Sequence, residues 1–381
     1  MQYAPIALFT YNRADHTKQA VESLLKNVEA KDSDLFIFSD GPKNEKAKKG
    51  VEENREYIRS LKNENDLEIS QSRDTENAHS LVSLVNYHKE NKFLQDNSSI
   101  PSDDSQSASL RKEPSASDDA TQSNTPSLNR EGRGESFKSV TIIEREKNWG
   151  LANSLIAGIT EIVNKYGRVI VVEDDLILSP YFLQFMNEAL EKYKDVDRVS
   201  AICSFTNPVT EPLPQTFFLR YFACWGWATW KKGWDLFEKD SRKLLWRLRN
   251  TWRVNEFNIE NSYNFYNMLY CQMLGEIDSW AIRFYASSFV NNKLILYPGK
   301  SLCAQTGIDG SGTHAGSINN MQVEMTASPI TIPEDIKVEE NQDAFGVYSR
   351  FYRGQWNFHT PYNIFKYFVR RLIGIDFWQN K

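Results

Sequence analysis

Cysteine is scarce: the 381 residues hold four, Cys203, Cys224, Cys271 and Cys303, with no CxxC pair among them. That spacing disfavours a zinc cluster or a dense disulfide framework and fits a reducing compartment. Long apolar runs are missing as well. No stretch approaches the roughly 20 residues that span a bilayer. The start, Met1-Gln2-Tyr3-Ala4-Pro5, lacks the basic region, apolar region and cleavage site of a secretory signal. A cytoplasmic protein is expected, with any membrane contact peripheral. Positive charge is not in excess. A net charge of -5 and a pI near 5.7 argue against a broad nucleic-acid surface. Walker A, GxSxG and HExxH patterns are all absent.

What is present is ample apolar material: 40% hydrophobic and 13% aromatic residues, enough for one large domain or two ordinary ones. Ile6 to Tyr11 reads as a strand. It meets the polar Asn12-Arg13, and Ala14, Val21, Leu24 and Leu25 follow at helical spacing. A second strand, Leu35 to Phe38, ends at the turn signal Ser39-Asp40-Gly41-Pro42. From about Glu64 to Lys138 the chain becomes rich in Ser, Asp, Asn and Gln, with no aromatic between Phe93 and Phe137. This stretch is expected to be a mostly disordered insertion, with a short helix over Leu81 to His88. The alternation then resumes. Val140 to Ile143 is a strand, Lys147 to Gly150 a loop, and Leu151, Leu155, Ile159 and Val163 form one face of a helix. Val169 to Val172 has the continuous apolar pattern of a strand covered on both faces. Ser179 is placed to cap the next helix, with Pro180 its first residue and Tyr193 near its end, before a strand from Val199 to Cys203.

Alternating strands and helices predict an α/β fold whose ligand site lies at the carboxyl ends of parallel strands. Asn12-Arg13, Asp40, Asn148 and Glu173-Asp174-Asp175 all occupy such ends. Three consecutive carboxylates after a buried strand repel one another and lose hydration, so a cation or many donors must compensate them. A hard divalent ion that also bridges phosphates suits them, against the alternative of an acidic turn capping the next helix. Asp278 in Glu276-Ile277-Asp278-Ser279-Trp280 is either a proton acceptor or a surface helix cap. The tryptophans of Cys224 to Trp230, with Trp234, are expected mainly in the core, although such rings also stack on sugars. Gly307 to Gly316 is glycine-rich and able to bring backbone N–H groups near a ligand. His314 within it is either a metal or phosphate contact or an ordinary loop residue.

Several segments together resemble the GT-A glycosyltransferases related to N-acetylglucosaminyltransferase I and their bacterial relatives, which are family 2-like. They are Ala7 to Arg13, Ser39-Asp40-Gly41, Asn148 to Ala152, Val172 to Asp175, Asp278-Ser279-Trp280 and Gly312 to Gly316. The long insertion, and Asn148 where the family often has His, depart from that pattern. The resemblance implies a mixed, mostly parallel sheet with flanking helices, a Rossmann-like nucleotide-binding half and an acceptor half. It implies a GT-A domain over 1–320, interrupted by the insertion at 64–138, and a C-terminal extension over 321–381. It further implies an inverting hexosyl transfer from a nucleotide sugar, by family habit a UDP-sugar, to a glycan or lipid-linked acceptor in bacterial surface polysaccharide synthesis. In that scheme Arg13 contacts the nucleotide and diphosphate region, Asp40 the base and Asn148 the nucleotide side. Glu173 and Asp174 orient sugar and ribose hydroxyls, Asp175 binds Mn²⁺ or Mg²⁺, and Asp278 is the catalytic base. Gly312 and His314 belong to a loop that orders over the donor.

Two rivals stand beside this reading. A sugar nucleotidyltransferase ordinarily has a glycine-rich basic loop after its first strand, where this chain has Thr10-Tyr11-Asn12-Arg13. A non-catalytic carbohydrate-binding protein on the same scaffold need not keep Asp278 beside the acidic triplet. The segment Phe351 to Trp378 places Phe365, Phe368, Val369 and Leu372 at helical spacing, near Lys366, Arg370 and Arg371. It is expected either to lie on an anionic membrane at the inner face, in the interval 351–381, or to pack against the catalytic domain.

Overall fold

Short, continuously apolar strands separated by amphipathic helices can bury both faces of a sheet only by layering helices on each side. The chain does this in a computed structural model that describes residues 3–62, 136–306 and 321–355. β1 (Ile6–Thr10) leads through α1 (Ala14–Leu24) and a 3-10 turn (Val28–Asp32) to β2 (Asp34–Ser39) and α2 (Glu45–Ser60). β3 (Ser139–Glu144), α3 (Leu151–Tyr166), β4 (Arg168–Glu173), β5 (Leu176–Leu178), α4 (Phe182–Lys192) and β6 (Val199–Cys203) follow. Next come β7 (Thr216–Leu219), β8 (Trp227–Trp230), α5 (Lys231–Trp234), α6 (Ser241–Asn250), α7 (Val254–Phe257) and α8 (Phe265–Leu274). α9 (Trp280–Val290), β9 (Leu294–Pro298), β10 (Cys303–Gln305) and α10 (Gln342–Gln355) complete the described elements.

Eight strands form one sheet in the order 3-2-1-4-8-6-9-7, with β5 and β10 paired separately. β3, β2, β1 and β4 are parallel neighbours. β8 enters antiparallel between β4 and β6, β9 runs parallel to β6, and β7 closes the edge antiparallel to β9. The expected mixed, mostly parallel α/β sheet with flanking helices is therefore the one formed. The chain moves outward from β1 to β2 to β3 and then returns past β1 to β4, so the topological switch lies between β1 and β4. Register makes the strand ends level: Thr10 pairs with Ser39, Ser39 with Glu144, and Phe9 with Glu173.

α3 packs unusually close to this parallel half. A Cβ on Gly158 would lie 2.8 Å from the Phe9 ring and 3.0 Å from the Phe38 ring, and those rings stack at 5.0 Å. Only a residue without a side chain lets the helix sit there. In the other half, the fully buried Trp227 stacks on Trp280 at 5.3 Å, with Trp234 beside it. Most of the tryptophans between 224 and 234 are accordingly core. Trp280 opens α9, so this aromatic cluster also fixes the residues just before it, Asp278 and Ser279.

Two local expectations change, and one helix is unexpected. The helix after β5 begins at Phe182 rather than Pro180: a turn closed by the Phe182 N–H on the Ser179 carbonyl precedes it, and the Ser179 hydroxyl accepts the Tyr181 N–H at 3.3 Å while donating to the Thr326 carbonyl at 2.8 Å. α2 carried no reading at all, since its mean composition is strongly polar, yet Val51, Asn54 and Ile58 bury one face. The chain is back on the sheet by Phe137, which is buried, and the Lys138 N–H donates to the Ser33 carbonyl. Residues 63–135, with the expected helix over Leu81 to His88, lie outside the described residues, as do 307–320 and 356–381. Within 351–381 the described part belongs to α10, where Tyr352 is buried and its hydroxyl meets that of Tyr221 at 2.7 Å.

Two glycines separate packing from backbone strain. Gly158→Val, which overfills the helix–sheet contact, is expected to lower the urea-unfolding free energy by about 3 kcal/mol. Gly167 ends α3 with φ of 78° and nothing near its missing Cβ, so Gly167→Ala should lose only about 1 kcal/mol. Equal losses at the two positions would contradict the close approach of α3.

Candidate functional site

The level strand ends bring four loops side by side. Neighbouring strands lie about 4.8 Å apart, so the loops after β4 and β2 are separated by roughly 10 Å, with the loop after β1 between them. At the switch point, Arg13 follows β1 and Asp174 and Asp175 follow β4. Nη2 of Arg13 donates to Asp174 Oδ1 and, at 3.2 Å, to Asp175 Oδ2. The Tyr11 backbone N–H donates to Asp174 Oδ2 at 3.3 Å. Nη1 of Arg13 is buried and has no partner among the described residues.

Charge in this cluster is unbalanced. Glu173, Asp174 and Asp175 act on one another, and one guanidinium faces them. Burial, reinforced by the two aspartates, pushes the Glu173 carboxyl well above its ordinary range. Asp174 is pushed up to about 6, mainly by burial, with Arg13 pulling the other way and Asp175 adding to the rise. For Arg13, burial works to lower the pKa, but the charges and hydrogen bonds of Asp174 and Asp175 outweigh it and the pKa is raised.

Asp40 and Asn148 shape the neighbouring region. Asp40 is buried and turns its carboxylate onto the backbone: Oδ1 accepts from Gly41 N–H at 3.0 Å and Trp149 N–H at 2.9 Å, and Oδ2 accepts from Gly150 N–H at 2.9 Å. The Asn148 amide donates to the Gly41 carbonyl at 2.8 Å. Both side chains tie the loop after β2 to the loop that starts α3. Arg55 on α2 strengthens the same junction by donating to the Arg145 carbonyl at 2.6 Å and to Ser39 Oγ at 3.3 Å. A buried carboxylate that accepts three amides fixes backbone geometry; its negative charge also suits the amino end of a helix.

Sequence reasoning missed the residues that hold Asp175 from behind. The Thr306 N–H and hydroxyl both donate to the Asp175 carbonyl, at 2.8 and 3.0 Å. His16 Nδ1 lies 3.1 Å from the same hydroxyl. No motif joins positions 16, 175 and 306, so only the fold reveals the set. Among the described residues no hydrogen bond or ion pair joins Asp278 to this cluster. Its side chain is 59% exposed and pairs with Arg283 at 3.2 Å, while Ser279 caps α9 through the Ile282 N–H. Gly312 and His314 lie outside the described residues.

A divalent cation fits this donor set as an open site. Asp174 is committed to Arg13 and Tyr11, which leaves Asp175 as the principal chain ligand. Among the described residues, no three His, Cys, Asp or Glu side chains form a metal-holding group. Mg²⁺ and Mn²⁺ are commonly held by one or two carboxylates, with phosphate oxygens and water completing the shell. The surplus of negative charge is what such an ion would neutralise.

Residues 109–252 match the family model Glycosyl transferase family 2. The match starts inside the expected insertion and runs through β3, α3 and β4 with the acidic triplet to the end of α6. It supports a glycosyltransferase of the GT-A type. Arg13, Asp40 and Asp278 lie outside it. Among curated proteins nothing matches. The chain is similar to a solved UDP-glucose pyrophosphorylase complexed with UDP-glucose at 8% identity and a TM-score of 0.32, covering 78% of this chain and 91% of that one. It is similar to an apo UDP-glucose pyrophosphorylase at 10% identity and a TM-score of 0.31, covering 79% and 93% respectively. At those values neither likeness bears on activity.

Two outcomes follow from the geometry. Asp40→Ala strands three backbone N–H groups and should lose about 2 kcal/mol of stability, with faster amide exchange at Trp149 and Gly150. For Asp174, the folded chain takes up a proton more readily than the unfolded one, so its contribution to stability falls as pH rises from about 4 to about 6 and is flat above. In the presence of chelator, the unfolding free energy of the wild type relative to Asp174→Asn should fall by about 3 kcal/mol across that window. A flat difference would mean that Asp174 titrates normally.

Proposed function

We propose that the chain is an inverting glycosyltransferase. It moves a sugar from a nucleoside-diphosphate donor, a UDP-sugar by preference, to a hydroxyl of a glycan or lipid-linked acceptor. The carrying observation is the carboxylate cluster at the β1–β4 switch point, beside an Arg13 Nη1 that has no partner among the described residues. Such a site asks for two things at once: an anion for the guanidinium and a cation for the carboxylates. A diphosphate with a divalent metal supplies both.

In this reading Arg13 donates through Nη1 to the diphosphate and is held in place by Asp174. Asp175 holds the Mn²⁺ or Mg²⁺, and its backbone is fixed by Thr306. Glu173 hydrogen-bonds hydroxyls of the donor. Asp40 and Asn148 set the loop geometry at the base end rather than meeting the base through free oxygens. Asp278, steadied by Arg283, accepts the acceptor hydroxyl's proton as that oxygen bonds to the anomeric carbon. The bond from that carbon to the diphosphate oxygen breaks, and its electron pair leaves with the nucleoside diphosphate. When bound, the divalent ion neutralises charge on that leaving group. Gly312 and His314 would complete the donor side. Bacterial surface polysaccharide synthesis at the cytoplasmic face of a membrane is the expected setting.

A thermal-shift panel of nucleotide sugars, with and without Mn²⁺, tests the donor site. A ligand at a hundred times its dissociation constant adds about 2.7 kcal/mol, and Asp175→Asn should abolish the metal-dependent part. Lack of any metal-dependent shift across the panel would sink the reading. Asp278→Asn should lower turnover by roughly 10²- to 10⁴-fold while donor binding stays near wild type. Wild-type turnover in that variant removes the base assignment. Pyrophosphate release from a sugar phosphate and a nucleoside triphosphate would instead identify a nucleotidyltransferase.

A further inference from the structure

Helix α6 carries a pattern that sugar transfer does not use. Residues 239–253 contain six cations, Lys239, Arg242, Lys243, Arg247, Arg249 and Arg253, against the one carboxylate of Asp240. Asp240 is spent as the helix cap, accepting the Arg242 N–H at 2.9 Å. Leu244, Leu245 and Leu248 point into the core, which leaves Arg242, Lys243, Trp246 and Arg249 together on the opposite face. Trp246 is 64% exposed, and Trp252, just beyond the helix, is 89% exposed.

The cations divide into two groups. Arg247 donates to the Val290 carbonyl at 3.0 Å, and Arg253 pairs with Glu256 at 3.1 Å and with Asn292 at 2.6 Å. Lys243 reaches Glu238 at 3.3 Å. Among the described residues no ion pair or hydrogen bond engages the side chain of Arg242 or Arg249.

Trp252 is the less expected feature. Its N–H donates to the Arg249 carbonyl, and the next N–H, of Arg253, reaches back to the Leu248 carbonyl. This is the helix-ending arrangement that puts one residue in the left-handed region, where glycine or asparagine is usual. Here a tryptophan occupies it, with φ of 58°. The strained backbone therefore holds a large apolar ring out in water, at the end of the helix that exposes Trp246 and two guanidinium groups unpaired among the described residues.

We infer that α6, with Trp252, docks the protein on an anionic lipid bilayer. Indole rings settle at the level of lipid headgroups, and neighbouring Lys and Arg are drawn by anionic lipid. A sugar site would need a concave surface with acceptors, whereas a single helix face is convex and this one carries no carboxylate. The chain's net negative charge does not oppose docking, because residues 63–135 alone hold fourteen Asp and Glu against seven Lys and Arg. The 356–381 segment is itself basic, so charge does not favour it as the cover for this face.

Flotation of the full chain with phosphatidylcholine vesicles, and with phosphatidylcholine–phosphatidylglycerol vesicles, tests the inference. Binding is expected only to the anionic vesicles and should weaken with salt. Arg242→Gln with Arg249→Gln should lower the partition coefficient about thirtyfold, and Trp246→Ala with Trp252→Ala should abolish quenching by brominated lipid. Unfolding midpoints of both double variants should match the wild type, as the four side chains are exposed. Lys366→Gln, Arg370→Gln and Arg371→Gln together should leave binding in place. The proposal is overturned by absence of binding, by equal binding to both vesicles, by unchanged partition in both α6 variants, or by loss confined to the C-terminal variant. Capture of a soluble polysaccharide that depends on Trp246 and Trp252, without vesicle binding, would likewise overturn it.

Discussion

A single guanidinium set against the carboxylates that end β4 is the constraint on which the site depends. Arg13 belongs to the first strand–helix junction and Asp174 and Asp175 to the fourth strand, more than 150 positions later. They meet because β1 and β4 are neighbours in a sheet that grows outward from β1 and then switches sides. The ion pair closes the switch point without neutralising it. Burial pushes Glu173 and Asp174 toward protonation, and Arg13 has a buried donor left over among the described residues. Isolated charge of that kind is unfavourable in a folded chain unless a ligand answers it, and strained or uncompensated groups concentrate where ligands bind.

The remainder of the protein can be understood as support for that edge. Gly158 lets α3 lie against Phe9 and Phe38, which sets the start of α3, and Asp40 pins that start to the loop after β2. Thr306 clamps the carbonyl of Asp175 from the β5–β10 pair. In the second half of the sheet, packing of Trp227 on Trp280 locates the beginning of α9 and with it Asp278. Aromatic residues there act through packing, and a carboxylate with a proposed chemical role is carried along by it. α6 shows the converse: two tryptophans excluded from the core, one of them at a backbone position that disfavours its side chain.

Much was legible from local pattern. The apolar strands, the helix over 151 to 166, the acidic triplet and its place at a strand end follow from periodicity and composition, which act over a few residues. Boundaries were less secure, as at Ser179, where a turn closed by the Phe182 N–H on the Ser179 carbonyl delays the helix by two residues. α2 escaped notice because three buried positions in sixteen residues make a faint stripe in a mostly charged helix.

The amino-acid sequence by itself determined the α/β class, the clustering of acidic residues after a buried strand and the scarcity of cysteine, because each of these is a property of neighbouring residues. Tertiary structure alone decided that Arg13 pairs with Asp174 and Asp175, that Asp40 serves backbone amides, that His16 and Thr306 stand behind the acidic triplet, and that Trp246 and Trp252 face outward. Those outcomes depend on strand order, register and the direction of each side chain. Such contacts link positions far apart in the chain, and local spacing carries no record of them.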